Sequence, residues 1–464
     1  MSEGVSVIEK KMRTAGMSQV AIEAFLFQFR KLLRNDAGLI PESGIEPIDR
    51  LPVLPEDPST QLSTSRFQQT IILKLNGGLG TSMGLAKAKS LLRVRGELTF
   101  LDSIVRQYLQ LRGPTSSDLN LYFMNSFSTS VDTIAALSRY PELGDPKQLE
   151  LFQNQIPKID RESLLPISWP QNPALEWCPP GHGDLYTSLF TTGLLERFLT
   201  AGKKYLFVSN ADNLGATLDP NLLQLFVESD APFLMEVTRR THSDRKGGHL
   251  ARRREDGRLL LRESAQCPQT DMDDFQNIER HRYFNTNNLW IRLDHLFDEL
   301  KKGNGIIPLP LIRNEKTVDP RDKKTPKVYQ LETAMGAAIE CFEGAIAVDV
   351  PRFRFSPVKT TSDLLAVRSD AYELDEGFCV RLRLERNGIP PQVELSDDYK
   401  LVDRFEQLVA NGLPSLFRSR SLTVKGPWRF SEGVQVIDDV TFENQSGQAQ
   451  TIEPGEYRNQ TVKG

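Results

Sequence analysis

Residues 70–92, T-I-I-L-K-L-N-G-G-L-G-T-S-M-G-L-A-K-A-K-S-L-L, limit what this chain can fold into more than any other stretch. The apolar run 71–75 reads as a buried strand. It breaks at Asn76 into Gly77, Gly78 and Gly80, with Gly84 beyond and Lys87 and Lys89 after that. Glycines admit positive φ and let backbone N–H groups surround an anion, and lysine brings a compact charge suited to phosphate. A loop of this kind at the carboxyl end of a first strand is where open α/β sheets bind ligands. Neither common template fits it. A Walker loop ends in G-K-[ST], whereas Thr81 and Ser82 follow the glycines here, and a dinucleotide fingerprint leaves the lysines without a purpose. A plain glycine turn is the competing reading; the paired lysines favour a nucleotide triphosphate over it.

Bulk properties narrow the class. At 464 residues the chain has room for two or three domains and a large core. A hydrophobic fraction of 39%, a charged fraction of 25% and a net charge of −4 are those of an ordinary globular protein. They argue against general affinity for nucleic acid or for an anionic membrane. Cys178, Cys267, Cys341 and Cys379 are too scattered for a disulfide framework or a zinc site. The opening residues, M-S-E-G-V-S-V-I-E-K-K-M-R, lack the apolar core of a signal peptide, and no apolar run approaches the roughly 20 residues that span a bilayer. A cytoplasmic protein is expected.

Taken in order, residues 5–34 read as a helix with Ala21, Phe25, Phe29, Leu32 and Leu33 on one stripe. Residues 38–58, rich in proline and acid, read as an extended connection. Apolar runs at 71–75, 121–124, 149–152, 205–208, 233–237, 259–261 and 289–291 suit strands, and 101–111 and 185–199 suit helices between them. That alternation predicts an α/β fold with a mainly parallel sheet and helices on both faces. Past about residue 370 the texture changes. A helix is expected over 397–409, and L-T-V-K-G-P-W-R-F-S-E-G-V-Q-V-I-D-D-V-T-F-E-N predicts a small β domain, with a short β-helix as one form of it.

Five polar segments recur near the ends of these runs. In C-P-P-G-H-G-D-L-Y, Gly181 and Gly183 flank His182, so backbone and imidazole can both meet a ligand. In V-S-N-A-D-N-L-G-A, Asp212 at the end of a buried strand suits Mg²⁺, which takes one or two carboxylates plus phosphate oxygens; a turn or a helix cap is the alternative. Lys246-Gly-Gly-His249 offers backbone amides. Asn285, Asn287 and Asn288 in F-N-T-N-N-L-W suit hydroxyl groups, because an amide both donates and accepts. Glu332 in L-E-T can accept from sugar hydroxyls, and Lys359 in P-V-K-T-T-S-D can neutralise phosphate. No Ser–His–Asp order, paired-carboxylate signature or zinc helix is present, so the chemistry suggested is phosphate-centred and without a covalent intermediate.

Together these segments resemble the eukaryotic-type UDP-glucose pyrophosphorylases. The resemblance is carried by L-N-G-G-L-G-T-S-M-G, M-N-S-F-S-T, P-P-G-H-G-D-L-Y, V-S-N-A-D-N-L-G-A-T, M-E-V-T-R-R-T with K-G-G, F-N-T-N-N-L-W, L-E-T-A-M-G-A-A-I and R-F-S-P-V-K-T-T-S-D-L-L, in family order from residue 71 to about 370. It implies a GT-A-like nucleotidyltransferase domain with a mixed, mainly parallel sheet over 66–375, an N-terminal helical segment and linker over 1–65, and a C-terminal β-helix domain over 376–464. It also implies the reversible, Mg²⁺-dependent reaction UTP + glucose 1-phosphate ⇌ UDP-glucose + pyrophosphate. By analogy Leu75, Asn76, Gly77 and Gly78 face uracil and ribose, and Gly80, Thr81 and Lys89 face the triphosphate. Gln153 reads the uracil edge with help from Gly181. Asp212 holds Mg²⁺ and Asn210 the nucleotide. His182, Gly248, Asn285, Asn287 and Glu332 contact glucose 1-phosphate, and Lys359 reaches the reacting phosphates, so Lys89 and Lys359 are the expected catalytic pair. One departure stands out: where many relatives have Gly-Pro-Lys, this chain has Lys87-Ala88-Lys89, which removes a stiff proline from the loop and leaves Lys87 for the solvent.

Two other readings compete. One is a pyrophosphorylase for UDP-N-acetylhexosamine or for a wider range of sugars; N-T-N-N and V-K-T-T-S-D lean towards glucose. The other is a catalytically silent nucleotide-sugar sensor, against which Asp212, Lys89 and Lys359 are all retained. The expected partners are the small-molecule substrates alone, with no nucleic acid and no membrane. The chain is expected to be a monomer or a weak homo-oligomer through its C-terminal domain.

Overall fold

Two amphipathic segments open the chain, and a glycine separates them. The computed structural model describes residues 2–36, 38–54, 64–80, 83–85, 87–113, 118–241 and 244–464. Helix α1 spans Ser2–Thr14 and α2 spans Gln19–Leu33. The single helix expected over 5–34 is thus two. Gly16 takes φ +78°, a left-handed value that ends α1, and the Ser18 hydroxyl caps α2 by accepting the Ala21 N–H at 3.2 Å. The apolar stripe of α2 is buried with Ile8 and Met12 of α1 against Ile156, Ile159 and Cys178. Residues 38–54 are mostly extended, as expected, and Ile45–Glu46 adds a short strand to the edge of the main sheet; 55–58 lie outside the described residues.

Residues 71–73 are consecutive aliphatics, so the segment 70–75 is buried on both sides. It forms β1 (Thr70–Leu75), followed by α3 (Phe100–Arg112), β2 (Asn120–Asn125), β3 (Glu150–Phe152), α4 (Leu185–Thr191), α5 (Leu194–Thr200) and β4 (Tyr205–Asn210). Then come β5 (Phe233–Arg239), β6 (His249–Arg253), β7 (Leu259–Arg262) and β8 (Tyr283–Arg292). A hairpin of β9 (Ile312–Thr317) and β10 (Lys327–Glu332) precedes β11 (Ile346–Asp349). The helix expected over 185–199 is split into α4 and α5 at Gly193, which takes φ +69°. The central sheet has ten strands and is mixed. The part that carries the site is parallel: β4, β1, β2 and β3 lie side by side with one polarity. Consequently Asn76, Ser126, Gln153 and Asp212 all leave the sheet at one edge. β8 runs antiparallel between β4 and β5, which brings its amino-terminal half to that same edge.

Side chains alternate across β1. Ile72 packs with Phe100, Leu101, Ile104 and Val105 of α3 on one face, while Ile71 and Leu73 pack with Leu185, Leu189, Leu195 and Phe198 on the other. Full burial of each such aliphatic side chain contributes about 1.5–3 kcal/mol, which holds the edge rigidly beneath the loops.

Helix α6 (Thr361–Arg368) leads into the C-terminal region. There β12 (Gln392–Leu395), β13 (Ser415–Lys425), β14 (Val434–Glu443) and β15 (Gly455–Lys463) form a parallel sheet, with Ser415 beside Gln435 and Val434 beside Gly455. Each coil therefore takes about twenty residues, the stacking of a β-helix. The helix expected over 397–409 is shorter, α7 (Val402–Leu408), after a 3₁₀ turn at Asp397–Tyr399. Apolar residues of this region and of α3 and β4 share one buried cluster. No helix among the described residues is long and apolar enough to cross a membrane.

Candidate active site

A cavity of about 690 Å³ opens on the carboxyl edge of β1–β4, within the size range of small-molecule sites. Its floor is the glycine loop: Leu75, Asn76, Gly77, Gly78 and Gly80 all line it. The loop holds its shape through Met83 N–H to Gly80 O (2.8 Å) and Lys89 N–H to Gly78 O (3.3 Å), and Gly80 needs its positive φ of +64°. Thr81 lies outside the described residues. The Asn76 side chain turns inwards, donating to Asn125 Oδ1 at 2.7 Å and Thr133 Oγ1 at 2.9 Å, so it anchors the loop and leaves the cavity to backbone. Ala88 is buried with φ −51° and ψ 131°, a backbone setting proline would also adopt, and Lys87 is exposed to solvent.

Gln153 and Gly181 meet above this floor. Gln153 Nε2 donates to the Gly181 carbonyl at 2.8 Å. A Cβ at Gly77 would stand 2.6 Å from Gln153 Oε1, and one at Gly181 (φ +80°) would stand 2.5 Å from the Thr333 carbonyl. Gly181 therefore excludes any side chain, a side chain at Gly77 would have to displace the Gln153 amide, and together they form an amide platform suited to the edge of a base.

Asp212 sits beyond the end of β4. Its Oδ2 accepts from Lys89 Nζ at 2.7 Å, whereas its Oδ1 is buried without a hydrogen-bond partner. The Asp212 carbonyl accepts the Val358 N–H at 3.2 Å, and Asn213 bridges to Pro357, which brings the Lys359 segment to the same edge. Among the described residues no three His, Cys, Asp or Glu side chains gather as a metal cage. One carboxylate with an orphaned oxygen fits a hard cation whose remaining ligands are phosphate oxygens and water.

On the other side of the cavity, burial and then the charge of Lys359 push the His182 imidazole down to about 4, so the ring is neutral at neutral pH. Its Nδ1 accepts the Met335 N–H at 3.0 Å, which assigns the ring proton to Nε2 and makes that atom a donor. A histidine held neutral in this way contributes stability above its ordinary 6.5, and that contribution is lost as pH falls from there towards 4. Urea unfolding between about pH 7 and pH 4.5 is therefore expected to show a shallower acid decline in His182→Asn than in the parent protein.

The asparagine segment lies within β8, not ahead of it as the sequence reading had it. β5 pairs Glu236 with Asn288 but Val237 with Asn285, so Thr286 and Asn287 bulge out, and Asn287 takes φ +58°. Asn285 and Asn287 are tied together, Nδ2 to Oδ1 at 2.9 Å and N–H to Oδ1 at 2.9 Å. At Gly248 a Cβ would meet the Glu263 carboxylate at 2.5 Å. Burial raises the Glu332 carboxyl above its ordinary range, against the Asn314 amide and the Lys316 charge. Of the residues expected to meet the sugar phosphate, His182 and Glu332 line the cavity; Gly248, Asn285 and Asn287 lie on the adjoining β6–β8 edge. Glu263, beside Gly248 and within the field of Lys359, was not singled out from sequence; nor were Phe127, Ser128, Trp177 and Lys316 of the cavity wall. Phe127 and Ser128 lie within M-N-S-F-S-T and Trp177 directly precedes C-P-P-G-H-G, so a motif could have signalled these three; Lys316 and Glu263 had none.

A glycine-floored cavity on a parallel sheet edge, lined by the Asp212 and Glu332 carboxylates and by the Lys89, Lys158 and Lys316 ammonium groups, with the Lys359 segment brought to the same edge, suits an α/β nucleotidyltransferase. The comparisons narrow that class. The chain belongs to the UTP–glucose-1-phosphate uridylyltransferase family, whose model matches residues 22–436. It is 37% identical to the UTP–glucose-1-phosphate uridylyltransferase of Solanum tuberosum over 451 residues, 94% of this chain and 92% of the relative. To that of Saccharomyces cerevisiae it is 42% identical over 366 residues, 78% and 72%. The UDP-glucose pyrophosphorylase of Leishmania major, solved in open and closed forms, superposes with a TM-score of 0.94 at 46% identity, over 100% of both chains.

Proposed function

We propose that this enzyme transfers a uridylyl group from UTP to glucose 1-phosphate, giving UDP-glucose and pyrophosphate reversibly. The observation that carries the reading is the Lys89–Asp212 pair at the mouth of the glycine loop, with the second Asp212 oxygen unpaired. The loop amides receive the triphosphate, and Gln153 with Gly181 reads the base. His182 Nε2–H and the Asn285–Asn287 bulge orient the sugar phosphate. Asp212 is the residue that would hold Mg²⁺, which when bound supplies positive charge to the phosphates.

In the reaction a sugar-phosphate oxygen forms a bond to the α-phosphorus in line with the bond that breaks, and pyrophosphate departs with that electron pair. The nucleophile is already anionic, so no base is required, which accounts for a site without a triad. Lys89 exchanges its carboxylate partner for phosphate oxygens, and Lys359 approaches from the facing loop. Between them they spread the charge that develops at the α-phosphorus.

The test is pyrophosphate release from UTP with a panel of sugar 1-phosphates, with and without Mg²⁺. Glucose 1-phosphate is expected to be preferred, and chelation to stop turnover. Equal use of N-acetylglucosamine 1-phosphate would refute the sugar assignment.

A further inference from the structure

Helix α1 lies outside the residues the family model matches, yet it reaches the wall of the cavity. Lys11, in its last turn, donates from Nζ to the Ile167 carbonyl at 2.8 Å and to Glu176 Oε2 at 2.5 Å. The same ammonium stands 5.6 Å from the centroid of the Trp177 ring. Glu176 takes the Trp169 N–H on its other oxygen at 2.6 Å, and its carbonyl takes the Lys158 N–H at 2.8 Å. Ile167 N–H donates in turn to the Lys158 carbonyl at 2.9 Å. One ammonium thus gathers both ends of the 167–176 loop, whose Ala174 and Leu175 face the cavity, together with the strand that starts at Trp177. From Trp177 the wall runs on through Cys178, paired with Ile156, to Gly181, whose carbonyl holds Gln153.

The Lys11 and Glu176 side chains are 20% and 14% exposed, so water screens the pair only in part, unlike a surface ion pair. The docking of α1 itself does not depend on the charge. Ile8 and Met12 are wholly buried in the apolar cluster with Ile156, Ile159 and Cys178.

We propose that Lys11 is a positioning residue for the nucleotide half of the site: it touches neither substrate but fixes the 167–178 wall beside the base-reading Gln153–Gly181 pair. The inference rests on the UTP reading given above. Removing the ammonium frees the wall, so the nucleotide must order it on binding, while the sugar-phosphate side, built on β8 and β10 and on His182, which the Met335 N–H holds separately, is left as it was.

Lys11→Met is expected to raise KM for UTP about five- to tenfold, the range of one ordinary intramolecular hydrogen bond lost. KM for glucose 1-phosphate and kcat should stay within about twofold. Calorimetric titration of UTP into the sugar-free protein should show the same loss. Lys11→Arg should restore it, since a guanidinium keeps both the carboxylate and the ring contact. Glu176→Gln, which retains hydrogen bonding without the charge, gives the same split between substrates and serves if Lys11→Met does not fold. A parent protein that does not bind UTP would bring down the functional reading and this inference with it. A parent that binds UTP beside variants with unchanged UTP affinity, or with kcat reduced and both KM values unmoved, would overturn the inference alone.

Discussion

Lys89→Ala and Lys359→Ala are each expected to lower turnover by about 10²–10³, the usual cost of removing one preorganised donor from a developing charge. The two lysines arrive by independent routes. Lys89 closes the glycine loop, with its ammonium 2.7 Å from Asp212. Lys359 follows Val358, whose N–H is bound to the Asp212 carbonyl, and its charge is felt at both His182 and Glu263. On the reading proposed above both act at the α-phosphorus, Lys89 from the glycine loop and Lys359 from the segment bound to the Asp212 carbonyl. Because both act on the same charge, the double variant should be far less than multiplicatively worse. Arginine at position 359 should rescue only in part, since a planar fork cannot replace a point charge at a crowded phosphate. The loss should fall on kcat measured at saturating concentrations of both substrates, with circular dichroism and urea unfolding confirming a folded protein. Near-normal turnover in either folded alanine variant would remove that lysine from the mechanism.

What the sequence disclosed was whatever is local. The strand–glycine–lysine order of residues 70–92 placed the cavity floor, because a buried run that ends in glycines has few other uses. The repeated apolar runs placed the parallel edge. Helix interruptions were harder to read. Gly16 and Gly193 sit inside apolar periodicities that continue across them, and only their left-handed φ values reveal two helices where one was expected. Polar motifs mix site candidates with residues that serve the fold. In V-K-T-T-S-D the Thr360 hydroxyl caps α6 by accepting the Asp363 N–H at 3.2 Å, and Asp363 accepts the Lys359 and Thr360 N–H groups in return, so most of that motif is a capping box around one lysine. Likewise the Asp184 carboxyl of G-H-G-D, raised to about 6 by burial, is occupied by Asn154 and Ser188. Asn288 serves the interior: its Nδ2 donates to Glu236 Oε2 at 3.0 Å, a partner 52 residues away that no local pattern announces.

Arg354→Met is expected to destabilise the fold by about 3–5 kcal/mol, the cost of leaving one partner of a buried ion pair uncompensated. Glu236 is 0% exposed and Arg354 is 1% exposed. The carboxylate accepts from Arg354 Nε at 2.7 Å and Nη2 at 2.8 Å, from Trp290 Nε1 at 2.9 Å and from Asn288 Nδ2 at 3.0 Å. With the guanidinium gone, the remaining hydrogen-bond donors are neutral, and among the described residues only the buried Lys74 ammonium is left within reach of the charge without bonding to it, so the folded state loses most of what balances Glu236. Replacing Glu236 by leucine together with Arg354 by methionine removes both charges, and that double variant should recover much of the loss. Activity should not recover with it. The Arg354 carbonyl accepts from Asn213 Nδ2 at 3.0 Å, and Asn213 Oδ1 accepts the Ser356 N–H at 3.0 Å, so the pair also sets how the Asp212 turn meets the strand of chain leading to Lys359. Denaturant midpoints should thus return towards the parent value while kcat stays depressed. Parallel recovery of both would mean that the ion pair serves stability alone and that the Asp212 and Lys359 segments find their register without it.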